Sequence, residues 1–143
     1  MNGNKNLFLD TNILIHFFEQ DSILFDGAQA FFKWCTQNNT RFGISSLVVA
    51  EYLVSIYKNQ QSELPFFIFL ESVNIKIHPF TVEEAKRTAH LRTRYQEKLP
   101  DLALLSTAIE HKYDVFISED KALKKIIEIP VLSMQEFLDL FQK

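Results

Sequence analysis

The sequence predicts an α/β fold of three layers, in which helices cover both faces of a central, mainly parallel sheet of about four to five strands. Short apolar runs of strand length alternate with segments whose apolar residues recur at helical spacing. Only 3 glycines and 4 prolines are present, which argues against a barrel or sandwich built from many tight hairpins. The length of 143 residues and the hydrophobic content of 47% suit one domain, covering residues 1–143, with a sizeable core.

The first strand-to-helix transition lies near the N-terminus. Residues 7–9 are apolar and predict a buried strand that ends at Asp10. Helical spacing of apolar residues follows at once. It resumes from Ile23 to Cys35, which predicts a second helix over that stretch.

The second transition follows the apolar residues 42–44, which predict another short strand. Ser45 and Ser46 are candidate N-caps of the next helix. The apolar run 66–70 is compatible with a helix, whose first turn Pro65 would suit, and also with a strand.

The second half of the chain continues the alternation. Its predicted elements are a strand at 73–77, a helix at 81–96, a helix from Pro100, a strand at 115–117, a short helix at 121–127, a strand at 130–132 and a helix at 133–141. Thr81 with Glu84, and Ser133 with Glu136, match the capping-box pattern that opens helices.

Composition limits the function classes. The net charge of −3 and the pI of about 5.8 argue against a general nucleic-acid binder with a basic face, although an acidic metal site would also lower the charge. Cys35 is the only cysteine, so an intrachain disulfide is excluded. Residues 1–6 are polar, and no apolar run reaches the length of a membrane span. We therefore expect a cytoplasmic protein that does not associate with membranes.

Acidic residues stand at or beside the predicted strand ends. The candidates are Asp10, Glu51, Asp101 and Asp120. Asp10 directly follows the first strand, and Asp120 lies just past the strand at 115–117. Asp101 opens the helix before that strand, and Glu51 lies early in the helix after the second strand. In open parallel sheets functional residues collect at the carboxyl ends of strands, so these carboxylates are expected to meet.

The surroundings of two of these carboxylates favour a metal ion. Glu51 and Asp101 each stand in an apolar stretch, where burying a carboxylate is costly unless a positive charge compensates it. Mg²⁺ or Mn²⁺ would do so, because hard ions prefer oxygen ligands. Such ions promote hydrolysis of phosphodiesters. Ordinary structural roles also remain open, since Asp10 and Asp101 suit helix starts and Asp120 suits a surface turn.

Four short motifs contain these carboxylates, and together they resemble the ordered motifs of the PIN-domain nucleases, in particular the VapC-like toxins of toxin–antitoxin pairs. The motifs are Phe-Leu-Asp-Thr-Asn at 8–12, Ser-Leu-Val-Val-Ala-Glu at 46–51, Pro-Asp at 100–101 and Ile-Ser-Glu-Asp at 117–120. The likeness covers nearly the whole chain. Each motif alone is weak, but four in order are fairly specific.

The resemblance implies a PIN-like fold and an endoribonuclease that depends on Mg²⁺ or Mn²⁺. The family's catalytic and metal-binding positions match Asp10, Glu51, Asp101 and Asp120, and its supporting polar positions match Asn12 and Ser118. It also implies an RNA substrate, a small antitoxin partner and a homodimer. One departure is Glu119, where many relatives have an uncharged polar residue, so Glu119 and Asp120 are both candidates to face the metal, with Asp120 preferred.

A group of basic residues precedes Asp101. Arg87, His90, Arg94 and Lys98 recur at three- and four-residue steps, which predicts a basic face on one helix. Arg87, Arg94 and Lys98 could contact RNA phosphates there. A solvated surface of no specific function fits the same pattern.

Three other enzyme or binding classes lack a required residue. A receiver domain needs a carboxylate after its third strand, where residues 75–79 have none, and an acid-phosphatase-like hydrolase needs a second Asp where Asn12 stands. A dinucleotide-binding domain needs clustered glycines. The remaining alternative is a catalytically inactive PIN-like module that binds RNA or another protein.

Overall fold

The computed structural model describes residues 5–142, so the first four residues of the polar segment at 1–6 lie outside the described residues. The described elements are β1 (Asn6–Leu9), α1 (Thr11–Phe18), α2 (Phe25–Gln37), β2 (Arg41–Ser45), α3 (Ser46–Lys58), α4 (Leu64–Ser72), β3 (Ile75–His78), α5 (Val82–Arg94), α6 (Leu99–Glu110), β4 (Val115–Ile117), a 3₁₀ helix (Lys121–Lys125), β5 (Val131–Leu132) and α7 (Met134–Phe141). Within residues 5–142, none of the helices has the length and apolar character needed to cross a bilayer.

The five described strands form one parallel sheet in the order β3-β2-β1-β4-β5, which confirms the predicted fold class. The chain moves outward from β1 through β2 to β3, and then returns to add β4 and β5 on the other side. The reversal occurs between β1 and β4, where the register pairs Leu9 with Ile117. A reversal of strand order opens a crevice at the carboxyl ends of the two strands, which is the usual ligand position in such sheets.

Side chains of the central strands alternate between two covered faces. Phe42 of β2 packs against Phe31 and Phe32 of α2, with ring centroids 6.2 and 5.3 Å away. Phe8 of β1 faces the other way and contacts the edge of Tyr113, which follows α6, at 5.1 Å. The sheet is thus the middle layer between two helical layers, as parallel sheets require.

The structure decides two local questions about where helices begin. The stretch at 66–70 belongs to α4, with Pro65 in its first turn. Ile23 was expected in the second helix, but α2 begins only at Phe25 and Ile23 is 96% exposed. The preceding residues form a turn in which the Ser22 hydroxyl accepts a hydrogen bond from the Leu24 amide at 3.2 Å, so the apolar spacing there does not reflect a helix.

Only one of the two predicted capping boxes is complete. At α7 the Ser133 and Glu136 side chains bond reciprocally to the backbone. At α5 the Thr81 hydroxyl accepts from the Glu84 amide at 3.2 Å. The Glu84 carboxylate, however, is buried against α6, where it accepts a hydrogen bond from the Thr107 hydroxyl. Glu84 therefore joins two helices instead of capping one.

Gly43 in β2 provides the space for the Tyr113 ring on the sheet. A Cβ at Gly43 would lie 2.1 Å from the Tyr113 Oη and 2.4 Å from its Cζ, whereas a Cβ at Gly27 in α2 would meet nothing within 4 Å. Gly43→Ala should therefore lower the free energy of unfolding by about 2 kcal/mol through overpacking. The matched change Gly27→Ala should raise it by up to ~1 kcal/mol through helix propensity. Urea unfolding measures both, and equal stability of the two variants would contradict this packing.

Candidate active site

All four predicted carboxylates line one cavity of about 440 Å³ at the crevice beside β1 and β4. We call this space the carboxylate cavity. Asn12 also lines it and is exposed to solvent. Ser118 lies directly behind it, buried at the end of β4. The predicted acidic and supporting residues are therefore brought together by the fold.

Asp10 is held in the lining of the carboxylate cavity by two hydrogen bonds. It is the N-cap of α1, and its Oδ1 accepts from the Thr11 amide at 2.8 Å. Its Oδ2 accepts from the Ser118 hydroxyl at 2.7 Å. Asp10 is only 5% exposed, and this burial raises its pKa to about 6 against the opposing effect of the two hydrogen bonds. The carboxylate is thus both a helix cap and a member of the acidic group.

Ser118 connects Asp10 to Asp120. The Ser118 hydroxyl that donates to Asp10 also accepts from the Asp120 amide at 3.0 Å. Asp120 in turn caps the 3₁₀ helix by accepting from the Ala122 amide at 3.0 Å. Glu119, the alternative ligand, instead accepts from the Met134 amide at 2.9 Å. It lines a different cavity, so it is Asp120 that faces the other carboxylates.

Asp101 and Glu51 approach from two helices. Asp101 lies in the first turn of α6, where burial and then the charge of Asp120 raise its pKa above its usual range. Glu51 in α3 accepts from the Thr11 hydroxyl at 3.0 Å. Although its neighbours in sequence are apolar, Glu51 is exposed, because α3 turns its Val48 side into the core.

A fifth carboxylate, Glu97, was not found by the sequence analysis. Oxygen atoms of Glu97, Asp101 and Asp120 lie within 4.8 Å of one another. Glu97 is also 2.6 Å from the Lys125 ammonium, so part of its charge is already compensated. Its only sequence signal is an acidic residue shortly before Asp101, in the connection between α5 and α6.

The predicted basic face is divided between two places. α5 ends at Arg94, so Lys98 is not on that helix but at the N-cap position of α6, where it lines the carboxylate cavity. Arg87, 2.8 Å from Glu110, lines a separate groove with His90 and Arg94. Arg94 is paired with Glu128. Of the three candidate phosphate contacts, only Lys98 adjoins the carboxylates.

Comparisons with known proteins agree with this fold. The family model of the PIN domain matches residues 7–129. A solved toxin–antitoxin complex from Klebsiella pneumoniae contains a similar chain, with 30% identity, a TM-score of 0.70 and coverage of 90% of this chain and 97% of that one. The VapBC2 structure from Rickettsia felis, bound to a DNA fragment from their promoter, contains another, with 22% identity, a TM-score of 0.72 and coverage of 88% and 96%. The second likeness concerns the fold alone. No curated protein matches the chain.

The raised pKa of Asp10 predicts how stability depends on pH when metal is chelated. Because its folded-state value of about 6 exceeds the usual 3.8, ionisation destabilises the folded protein, and stability falls as pH rises from about 4 to 6. Asp10→Asn should therefore raise the free energy of unfolding by about 1–3 kcal/mol at pH 7.5, and by much less at pH 4. Urea unfolding in EDTA measures this change. The exposed Asp139→Asn serves as the control, and a gain for Asp10→Asn that is equal at both pH values would contradict the assignment.

Proposed function

The chain belongs to the PIN domain family, and we propose that it is a metal-dependent endoribonuclease, the toxin of a toxin–antitoxin pair acting in the cytoplasm. The observation that carries this proposal is the gathering of four carboxylates in one cavity at the switch point of the sheet. Phosphoryl chemistry needs positive charge and an activated water more than it needs a protein nucleophile. A cavity whose polar lining is four carboxylates, the Thr11 hydroxyl, the Asn12 amide and the Lys98 ammonium suits that chemistry.

The donor set fits a divalent cation such as Mg²⁺ or Mn²⁺. Every carboxylate offers oxygen, the ligand that hard ions prefer. Burial and mutual repulsion raise the pKa of both Asp10 and Asp101, and a bound cation would relieve that cost. Asp10, Asp101 and Asp120 would hold the ion, with Glu51 at the exposed side of the cavity. When bound, the ion would supply the positive charge that activates water and stabilises developing negative charge on the phosphate.

The chain's own residues fix the geometry around that position. The Ser118 hydroxyl orients Asp10, and the Thr11 hydroxyl orients Glu51. Glu51 is exposed, so its carboxylate can accept a hydrogen bond from water in the cavity. Lys98 adds a positive charge at the entrance, where it can attract an RNA phosphate and oppose the acidic field.

A protein partner and a homodimer are part of the proposal. An apolar cavity of about 580 Å³ adjoins the carboxylates and shares Glu51 and Pro100 with their lining. Leu99, one of its lining residues, is 56% exposed. Exposed apolar surface of this kind favours protein contact. Since the similar Klebsiella chain is part of a toxin–antitoxin complex, we propose a small antitoxin that covers this surface and places a basic group at the carboxylates.

Cleavage of a mixed RNA pool tests the proposed activity. With Mg²⁺ or Mn²⁺ the purified, antitoxin-free protein should cleave RNA, and EDTA should stop cleavage. Asp101→Asn should lower the rate by about 100-fold or more, because a charged oxygen ligand is lost. Glu119→Gln should retain the rate, since Glu119 accepts a hydrogen bond from the Met134 amide and lies outside the carboxylate cavity.

If the folded protein binds Mn²⁺ but does not cleave RNA, the proposed nuclease activity is wrong and the protein is an inactive binding module. Equal cleavage rates for the wild type and Asp101→Asn would contradict the assignment of these carboxylates as catalytic residues.

Ser118→Ala tests the positioning role of the hydroxyl. Loss of its hydrogen bond should lower the cleavage rate by about 10- to 100-fold, the range found for residues that orient metal ligands. The same loss should raise the pKa of Asp10, so the acidic limb of the pH–rate profile should move to higher pH. The exposed Ser72→Ala is the matched control. A lower rate with no movement of the acidic limb would indicate a purely structural role.

A further inference from the structure

A second polar cavity, of about 490 Å³, opens at the other end of the sheet. Asn6 and Arg41 are the first residues of β1 and β2, and Asn74 immediately precedes β3. The carboxylates, in contrast, lie past the carboxyl ends of β1 and β4. We call this space the β2–β3 cavity, and it shares no lining residue with the carboxylate cavity.

Two cationic side chains line the β2–β3 cavity. Gly43 of β2 pairs with Lys76 of β3, and Arg41 is two residues before Gly43, so Arg41 and Lys76 lie on the same face of neighbouring strands. Both are exposed. Among residues 5–142, neither forms an ion pair with a carboxylate. Two cations on one face without a paired carboxylate provide a positive field for an anion.

Aromatic rings form the wall of the same cavity. The His78 Nε2 and the Tyr113 Oη share a hydrogen bond of 2.7 Å, and the His78 and His111 rings lie 4.0 Å apart. The buried Glu84 carboxylate lies 3.3 Å from the His111 Nε2. This contact holds the His111 ring with its Nε2 toward Glu84, at the wall of the cavity.

We propose that the β2–β3 cavity binds a phosphate group, with Arg41 and Lys76 as donors to its oxygens. An Arg fork and a Lys ammonium are the usual phosphate donors in proteins. The volume lies within the range of about 300–1,000 Å³ typical of small-molecule sites. The phosphate could be inorganic or belong to a nucleotide, whose base the His111 and Tyr113 rings could stack against. This site lies beyond the proposed nuclease activity and does not depend on it.

The proposal is tested by titrating the protein with ligands and following its NMR signals. EDTA is present throughout, so that no metal ion at the carboxylates can bind phosphate. The probes are inorganic phosphate, adenosine 5′-monophosphate and adenosine, each at matched ionic strength. We expect saturable shifts in the ring signals of His78, His111 and Tyr113 with both phosphates. Tighter binding of the nucleotide would identify a nucleotide site, and equal binding a site for phosphate alone; both outcomes support the proposal.

Charge-removing variants decide whether the binding is specific. Arg41→Gln and Lys76→Gln should each raise the Kd by about tenfold, the loss of one charge-assisted contact. Both side chains are exposed, so the variants should fold, which thermal unfolding checks. The control Lys33→Gln removes an equal charge from the exposed side of α2 and should leave the Kd unchanged. Absence of saturable shifts, equal weakening by Lys33→Gln, or tighter binding of adenosine than of both phosphates would overturn the proposal.

Discussion

The hydrogen bond from Ser118 to Asp10 is the interaction on which the carboxylate cavity depends. It joins residues 108 positions apart, and it exists because the register of β1 and β4 places Leu9 beside Ile117. A buried carboxylate is costly without hydrogen-bond partners. Asp10 has two, the Ser118 hydroxyl and the Thr11 amide. Since the Ser118 hydroxyl also accepts from the Asp120 amide, one buried side chain orders both strand ends.

The fold and half of the acidic group follow from local sequence. Short apolar runs that are followed by an acidic residue can be recognised in the sequence. Because parallel strands bring their carboxyl ends together, Asp10 and Asp120 are predictable neighbours. Glu51 and Asp101 come from helices, and their positions depend on helix phase. The exposure of Glu51 follows from that phase, because its apolar neighbours in sequence occupy other sides of α3. Its place just after the second strand, together with the resemblance to PIN-domain nucleases, identified Glu51 as a residue of the same cavity.

Connections between helices carry the features that sequence patterns missed. The segment between α5 and α6 holds Glu97 and Lys98 beside the acidic group, and its direction is set by distant partners. The Tyr95 hydroxyl donates to Glu128 at 2.8 Å, and Lys125 pairs with Glu97. Periodicity has no information about such contacts, because the partners follow some thirty residues later in the chain. Repetition at helical spacing therefore placed Lys98 on α5 when it belongs to the start of α6.

The net charge of −3 conceals a separation of charge along the strands. Carboxylates gather at one end of the sheet, and Arg41 and Lys76 line a cavity near the other. Glu84 belongs to neither group of exposed charges: it is buried between α5 and α6 and paired with His111. The opposite charges of these regions largely cancel in the net charge, although each region creates its own local electrostatic field. A weakly acidic chain can thus present an acidic surface suited to cations and a cationic surface suited to phosphate. The two surfaces are distinct because the strands are parallel, so that their carboxyl ends share one edge of the sheet and their amino ends share the other.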